Sequence, residues 1–123
     1  MTRILLIDDD EHLRATLTIA LKRAGHDVHV AADGEIGLDF LMEHEVDILI
    51  TDILMPVKEG IETIIEVRKC YPDLKIVAIS GGGRSGNVGF LQMAKKLGAS
   101  EALSKPFAMK ALVDCVEELT AGV

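Results

Sequence analysis

Short runs of hydrophobic residues alternate along the chain with longer stretches in which hydrophobic positions recur every three or four residues. Five short runs predict five strands. Four of them are continuously apolar, which is typical of strands covered on both faces of a parallel sheet, whereas the second is interrupted by His29 and indicates an edge strand. The runs begin at Ile4, Val28, Ile48, Ile76 and Ala102.

Amphipathic patterns between the strands predict five helices, of which the first ends at Gly25 and the fourth at Gly98. This strict alternation predicts an α/β fold with right-handed crossovers onto one parallel sheet, and the length of 123 residues predicts one domain over residues 1–123. The helical positions, in chain order, are Leu13, Leu17 and Leu21; Leu38, Leu41 and Met42; Ile61, Ile64 and Ile65; Phe90, Leu91, Ala94 and Leu97; and Leu112, Cys115, Val116 and Leu119.

Composition narrows the classes of function. Hydrophobic residues make up 49% of the chain and charged residues 27%, and the formal net charge of −7 argues against binding to nucleic acid or to anionic lipid. No apolar run approaches the length of a membrane span, which is about 18 residues. Cys70 and Cys115 match no metal or redox spacing and predict thiols in a reducing compartment, so we expect a cytoplasmic protein.

Polar side chains that could bind a ligand or take part in a reaction follow the predicted strands. Asp8, Asp9 and Asp10 come directly after the first strand, and Asp52 ends the third. Ser80 ends the fourth strand, and a lysine, Lys105, follows the fifth. Ligand sites of open α/β sheets lie beyond the carboxyl ends of the strands, where the strand order reverses. If the order is 2-1-3-4-5, the reversal falls between the two strands that carry the aspartates.

A cluster of carboxylates needs compensation. Two like charges about 4 Å apart repel by about 4 kcal/mol at an effective dielectric constant near 20, so either some aspartates are protonated or a cation binds. Hard oxygen ligands favour Mg²⁺. An aspartate, Mg²⁺, the Ser80 hydroxyl and the Lys105 ammonium group are together the parts needed for phosphoryl transfer.

Four segments carry a resemblance to a known family. Residues 7–10 (Ile-Asp-Asp-Asp), 52–56 (Asp-Ile-Leu-Met-Pro) with Gly60, 79–80 (Ile-Ser) and 103–107 (Leu-Ser-Lys-Pro-Phe) resemble the receiver domains of two-component response regulators. The resemblance implies a flavodoxin-like, doubly wound (βα)5 fold with strand order 2-1-3-4-5. It also implies a signalling phospho-acceptor, and the partner that supplies the phosphoryl group would be a sensor histidine kinase or a histidine phosphotransfer protein. Because the chain ends soon after the fifth helix, we expect a stand-alone regulator that acts on a partner protein.

The resemblance assigns roles to the acidic residues. Asp52 would be the phospho-acceptor, Asp9 would bind Mg²⁺ directly, and Asp8 would act largely through bound water. The backbone carbonyl of Leu54 would be a further ligand. Asp10 is instead expected to cap the first helix.

The resemblance also assigns the switch residues and exposes two departures. Ser80 would hydrogen-bond the phosphoryl oxygen, Lys105 would pair with it, and Pro106 would form a cis peptide bond that aims the lysine inward. The family usually carries an aromatic residue three positions before the lysine, where this chain has Ala102. The spacing between Ser80 and Lys105 is also longer than usual, and we expect residues 81–89, which are rich in glycine, to form a mobile loop.

Two other classes of function remain open from the residues alone. The Asp-x-Asp pattern of Asp8 and Asp10 is similar to that of haloacid-dehalogenase phosphohydrolases, in which Asp8 would be the nucleophile, although His12 departs from that pattern. The other hypothesis is a binding module that has the receiver fold and acts without phosphorylation. Mapping the phosphorylated residue separates the first two classes, and a lack of any Mg²⁺ response would favour the third.

Overall fold

The five apolar runs form one parallel sheet in a computed structural model of the chain. The structure describes residues 2–53, 57–80, 87–104 and 107–121, with side chains for all of these except 57–59, 80 and 87–91. The sheet order is β2-β1-β3-β4-β5, which confirms the predicted fold class. The strands are β1 (Arg3–Ile7), β2 (Asp27–Ala31), β3 (Ile48–Asp52), β4 (Lys75–Ser80) and β5 (Glu101–Ser104).

Five helices cover the two faces of the sheet, and they are α1 (Glu11–Arg23), α2 (Gly34–Glu43), α3 (Val57–Cys70), α4 (Asn87–Leu97) and α5 (Met109–Thr120). Successive strand residues point to opposite faces, so each strand contributes to two cores. One core contains Leu5 and Leu49 with side chains from α2, α3 and α4. The other contains Ile4 and Ile48 with side chains from α1 and α5.

Local chemistry defines the ends of α1 and α4. The Asp10 side chain accepts a hydrogen bond from the backbone N–H of Leu13 at 3.1 Å, which confirms the predicted N-cap of α1. Gly25 follows α1 with a φ of 95°, and Gly98 follows α4 with a φ of 128°. Both values lie in the left-handed region that glycine adopts without a steric penalty, which is why these helices end where the sequence predicts.

The structure corrects two predictions about individual elements. β5 is the second edge of the sheet, and its residues are at most half-buried rather than covered on both faces. α4 begins at Asn87, so residues 87–89 of the predicted loop belong to a helix, while residues 81–86 lie outside the described residues. Val88 stands three residues before Leu91 and extends the helical spacing by one turn, which outweighs the modest cost of one glycine in a helix.

Two side chains that helped to mark the predicted helices do not lie in a core. Met42 is 77% exposed and Ile65 is 45% exposed. In α2 the buried positions are instead Gly34, Gly37 and Leu41. A Cβ atom on Gly37 would approach Cγ1 of Ile7 to 2.9 Å, so this glycine lets α2 pack closely against β1. No helix in the described ranges is long and apolar enough to cross a bilayer.

Candidate active site at the carboxyl edge of the sheet

The pairing register of β1 and β3 brings two aspartates together. Ile7 pairs with Thr51 at the last position of the β1–β3 ladder. One residue further along each chain stand Asp8 and Asp52, which continue the alternation that places Ile4, Leu6, Ile48 and Ile50 on the face covered by α1 and α5. The register of two buried strands therefore places these carboxylates side by side.

Hydrogen bonds hold Asp8 at the end of β1, where it is fully buried. Its Oδ1 accepts a hydrogen bond from the backbone N–H of Asp10 at 2.8 Å, and its own N–H donates to the carbonyl of Ala31 at 3.2 Å. The Arg14 guanidinium, on α1, donates to the carbonyl oxygen of Asp8 at 2.7 Å. These bonds fix the turn in which Asp8 and Asp9 lie.

Asp52 is fixed by the close approach of α3 to its backbone. A Cβ atom on Gly60 would lie 2.6 Å from the carbonyl oxygen of Asp52 and 2.6 Å from Cα of Ile53. Contacts this short are not tolerated by backbone atoms, so only glycine fits at this position of α3. The N–H of Ile53 also donates to the carbonyl of Ile79 at 2.9 Å. Asp52 is the last residue of β3 and is only 5% exposed.

Asp9 completes a group of three carboxylates. One oxygen from each of Asp8, Asp9 and Asp52 lies within 4.8 Å of the others, and among the described residues no other such group of His, Cys, Asp or Glu is found. Asp8 and Asp52 are buried, whereas Asp9 is exposed and faces solvent. Oxygens around an octahedral Mg²⁺ stand roughly 3 to 4 Å apart, since each lies about 2.1 Å from the ion. The residues present therefore fit a small, hard divalent cation.

The remaining predicted site residues are placed by the backbone or lie outside the described part of the chain. Ser80 is the last residue of β4 and pairs with Ser104, one step beyond the pairing of Asp52 with Ile79. Its backbone therefore stands at the same edge as Asp52, while its side chain is outside the described residues. Leu54, Lys105 and Pro106 lie outside the described residues, so their assigned roles stay predictions.

The position that usually carries an aromatic residue lies in β5. Ala102 pairs with Ala78 and packs, half-buried, at the border of the core beneath α4. Its methyl group leaves nothing at this position that could swing between an outward and an inward orientation. This chain therefore lacks the aromatic ring expected at this position.

Two residues at the site were not given a role by sequence reasoning. Arg14 donates to the backbone of the acidic turn, and it stands four residues after the capping residue Asp10, on the same face of α1. This four-residue spacing is the feature of the sequence from which the position of Arg14 near the acidic turn could have been predicted. Gly60 was noticed only as part of a motif, and its steric role required the packing of α3 on β3.

The cysteines and histidines lie away from this site. Cys70 is exposed, and Cys115 is half-buried on α5 rather than fully in the core. Burial, followed by the nearby Glu101 and Glu118 carboxylates, raises the pKa of the Cys115 thiol. His26 packs near Glu117, with 3.8 Å between Nε2 and Oε2, while His12 is exposed and the side chain of His26 is mostly buried.

Comparison with known proteins assigns the family. The profile described as "Response regulator receiver domain" matches residues 4–117. The chain is 36% identical over 114 residues to the DNA-binding transcriptional regulator NtrC of Azospirillum brasilense, covering 93% of this chain and 23% of the relative. It is 37% identical over 113 residues to the transcriptional regulatory protein CpxR of Escherichia coli, covering 92% of this chain and 47% of the relative.

A solved structure agrees with this assignment. The receiver domain of NtrX from Brucella abortus superposes with a TM-score of 0.89 at 27% identity, covering 98% of this chain and 99% of that one. This chain spans less than half of the length of NtrC and of CpxR, so the match concerns their receiver portions. Matching sequence, matching fold and a carboxylate cluster at the switch point of the sheet agree, and the chain belongs to the response regulator receiver domain family.

Proposed function

We propose that this chain is a phospho-acceptor that takes a phosphoryl group from a phosphohistidine onto Asp52 in a Mg²⁺-dependent reaction. The observation that carries the proposal is the meeting of three carboxylate oxygens within 4.8 Å at the carboxyl edge of a receiver-family sheet. The donor would be a sensor histidine kinase or a histidine phosphotransfer protein. The phosphoryl group would be held on this chain and read by another protein or domain.

The chemical step needs one nucleophile and one leaving group. A carboxylate oxygen of Asp52 attacks the phosphorus atom and forms a P–O bond. The P–N bond to the histidine breaks, and its electron pair returns to the imidazole nitrogen. Asp52 suits this role because its backbone is fixed by β3 and α3 while its side chain reaches the cluster. Such fixation holds the attacking oxygen in place at no further entropic cost.

Asp8, Asp9 and Asp52 would hold the ion, with the Leu54 carbonyl as the predicted further ligand. When bound, Mg²⁺ supplies positive charge against the charge that develops on the phosphoryl oxygens. Asp9 is the exposed residue of the three, which suits a direct ligand of the ion, whereas Asp8 is buried. The Arg14 guanidinium donates to the backbone carbonyl of Asp8, so its positive charge offsets part of the negative charge of Asp8 and Asp9.

Ser80 and Lys105 would complete the site by binding the phosphoryl oxygens. The backbone position of Ser80 beside the row of Asp52 supports its part in this assignment. Phosphorylation would shift an equilibrium between an inactive and an active conformation, and a shift from 1:99 to 99:1 requires about 5.5 kcal/mol of differential stabilisation. Charge-assisted hydrogen bonds from Ser80 and Lys105 are each worth about 1.5 to 3 kcal/mol, so together with the cation they supply energy of that order.

The stand-alone arrangement stays a prediction. The curated relatives named above are longer than this chain, which covers 23% and 47% of them. An immunoblot of the protein from its native cells tests the arrangement. A band near 13.3 kDa supports a stand-alone regulator, and a larger band contradicts it.

Phosphorylation with acetyl phosphate and Mg²⁺ tests the main proposal. We expect the intact protein to gain the mass of one phosphoryl group, and hydroxylamine should remove it because an acyl phosphate is cleaved by that nucleophile. Asp52→Asn should abolish the gain. Asp39→Asn is the matched control, because it makes the same change on the exposed surface of α2 and should leave labelling intact. Full labelling of Asp52→Asn would defeat the assignment.

The same samples separate the two alternatives. A phosphohydrolase would carry the label on Asp8 and would turn over p-nitrophenyl phosphate repeatedly. A module that works without phosphorylation would show no Mg²⁺-dependent change in its amide spectrum.

A further inference from the structure

The negative charge of this protein is concentrated in one segment. Residues 24–57 contain eight Asp and Glu residues and no Lys or Arg, whereas the rest of the chain contains 12 acidic and 13 basic residues. This segment comprises β2, α2 and β3 with their connections. The formal charge of −7 therefore originates almost entirely from this segment, in which Glu45 and Asp47 pair with Arg3 of β1.

Helix α2 arranges part of this charge against the usual rules of helix stability. Glu35, Asp39 and Glu43 are four residues apart, all are exposed, and none forms an ion pair with a described side chain. Like charges at this spacing destabilise a helix by a few tenths of a kcal/mol per pair. Glu43 also lies at the carboxyl end, where a negative charge opposes the helix dipole. By contrast, α1, α3 and α4 each end in two basic residues.

Apolar and aromatic groups accompany this row of acids. Ile36, Asp39, Phe40, Met42, Glu43 and His44 line an open depression of about 630 Å³, and we call these six residues the α2 face. Ile36 is 50% exposed and Met42 is 77% exposed. Ile36 and Met42 both line this depression, and covering their exposed apolar side chains would lower the free energy of the system.

The rings beside this depression form a platform. Phe40 and His44 stack with centroids 4.1 Å apart and planes 9° from parallel, and His29 of β2 lies 4.9 Å from Phe40. A guanidinium group stacks on such rings and binds carboxylates through two parallel hydrogen bonds. The ammonium group of lysine lacks this planar shape. The α2 face therefore offers arginine both of its preferred contacts.

We propose that the α2 face is a docking surface for an arginine-bearing amphipathic helix of a partner protein. The apolar side of that helix would cover Ile36 and Met42, and its arginines would meet Asp39, Glu43 and the stacked rings. Charge complementarity selects this occupant, because a nucleic acid, an anionic bilayer or a second copy of the same face would bring negative charge to negative charge. The proposal does not depend on the chemistry of Asp52.

A peptide titration tests the proposal on the whole chain. The probe is a synthetic 14-residue amphipathic helix with leucine on one side and arginine on the other, added to isotope-labelled protein in saturating Mg²⁺ so that the carboxylate cluster is occupied. We expect the largest amide shifts within α2 and at His29, and weaker binding when lysine replaces arginine. A peptide with serine in place of leucine should bind at least several-fold more weakly.

Matched variants locate the effect. The variant Glu35→Gln, Asp39→Asn, Glu43→Gln should weaken binding by about tenfold, since exposed charge pairs contribute about 0.2 to 1 kcal/mol each. Glu62→Gln, Glu66→Gln, Glu118→Gln removes the same charge from exposed positions of α3 and α5 and should leave affinity nearly unchanged. Asp52→Asn should bind like the parent, which separates this proposal from the proposed function.

Several outcomes would overturn the proposal. They are equal losses in the two triple variants, shifts centred outside α2, or equal binding of the serine and leucine peptides. Binding to vesicles of anionic lipid that is lost in Met42→Ser would identify a membrane as the occupant instead. Self-association that is lost in Met42→Ser would identify a second copy. Circular dichroism of each variant verifies that a loss of binding does not reflect unfolding.

Discussion

The molecule carries two groups of three carboxylates that differ in nearly everything except charge. Asp8, Asp9 and Asp52 converge at the ends of two neighbouring strands, and their oxygens lie within 4.8 Å of one another. Glu35, Asp39 and Glu43 stand in a row along the exposed side of α2. The first group is held by backbone hydrogen bonds and buried packing, whereas the second is held by one helix alone.

Environment determines what each group can bind. Charges that are partly removed from water interact several times more strongly than charges in bulk solvent, so the converging group favours a compact divalent ion. The row on α2 is spread over two helical turns and is well solvated, so each of its charges contributes little and only an extended cationic partner engages all three. Residue type alone does not distinguish a metal site from a docking surface.

The largest expected contrast is in the response of stability to Mg²⁺. At about 100 times its dissociation constant, a ligand that binds only the folded protein adds about 2.7 kcal/mol to the free energy of unfolding. Asp9→Asn should lose most of this increment in urea titrations with and without Mg²⁺. Asp39→Asn, the equivalent change on α2, should retain it. Equal losses in both variants would show that Mg²⁺ acts through general charge screening.

The packing of Gly60 gives the next largest effect. Gly60→Ala places a Cβ atom 2.6 Å from the Asp52 carbonyl, and such overpacking typically costs about 1 to 3 kcal/mol. Since the strain falls on Asp52 itself, the rate of labelling by acetyl phosphate should fall as well. Glu62→Ala, on the exposed side of the same helix, should change neither quantity. Normal stability of Gly60→Ala would contradict the close approach of α3 to β3.

The cap of α1 tests whether the acidic turn also supports the fold. Asp10→Ala removes the hydrogen bond from the Leu13 N–H and should lower the free energy of unfolding by about 1 kcal/mol. The affinity for Mg²⁺ should change little, because Asp10 is not among the converging carboxylates. A strong loss of Mg²⁺ binding would place Asp10 among the ligands.

The smallest effect is expected on α2 and has the opposite sign. Asp39→Lys converts two repulsive pairs, with Glu35 and Glu43, into attractive ones and should raise the free energy of unfolding by roughly 0.5 kcal/mol. On α5, Asp114→Lys removes the partner of Lys110, whose Nζ lies 2.7 Å from Oδ2 of Asp114, and should lower the midpoint of thermal unfolding. A destabilised Asp39→Lys would mean that the acids of α2 serve the fold.

Sequence patterns predicted the fold well because its main rules are local. Alternation of apolar runs with amphipathic stretches defined five strands and five helices, and glycines ended α1 and α4 as expected. The burial of one strand was less accessible. The apolar run at Ala102 indicates a strand covered on both faces, yet β5 is at most half-buried, because it lies at the edge of the sheet as the predicted order requires.

Only those residues of the candidate site that follow the ends of strands could be predicted from the sequence. Asp8 and Asp52 follow strands whose pairing register places them side by side, so their meeting can be anticipated once the strand order is known. Gly60 acts through the packing of α3 on β3, which no periodicity encodes, whereas Arg14 was signalled only by its position four residues after Asp10. Met42 was predicted to pack because of its hydrophobic spacing, yet it is exposed, and the close approach of Gly37 to Ile7 is not visible to a pattern of hydrophobic residues.

The absence of Lys and Arg from residues 24–57 has a kinetic consequence beyond any single contact. The excess negative charge is concentrated in this segment, so an approaching cationic protein is attracted toward the segment before the surfaces touch. Such steering can raise association rates by about 10- to 1,000-fold at low ionic strength and fades as salt is added. The orientation of an encounter would thus be selected while the partners are still separated by water.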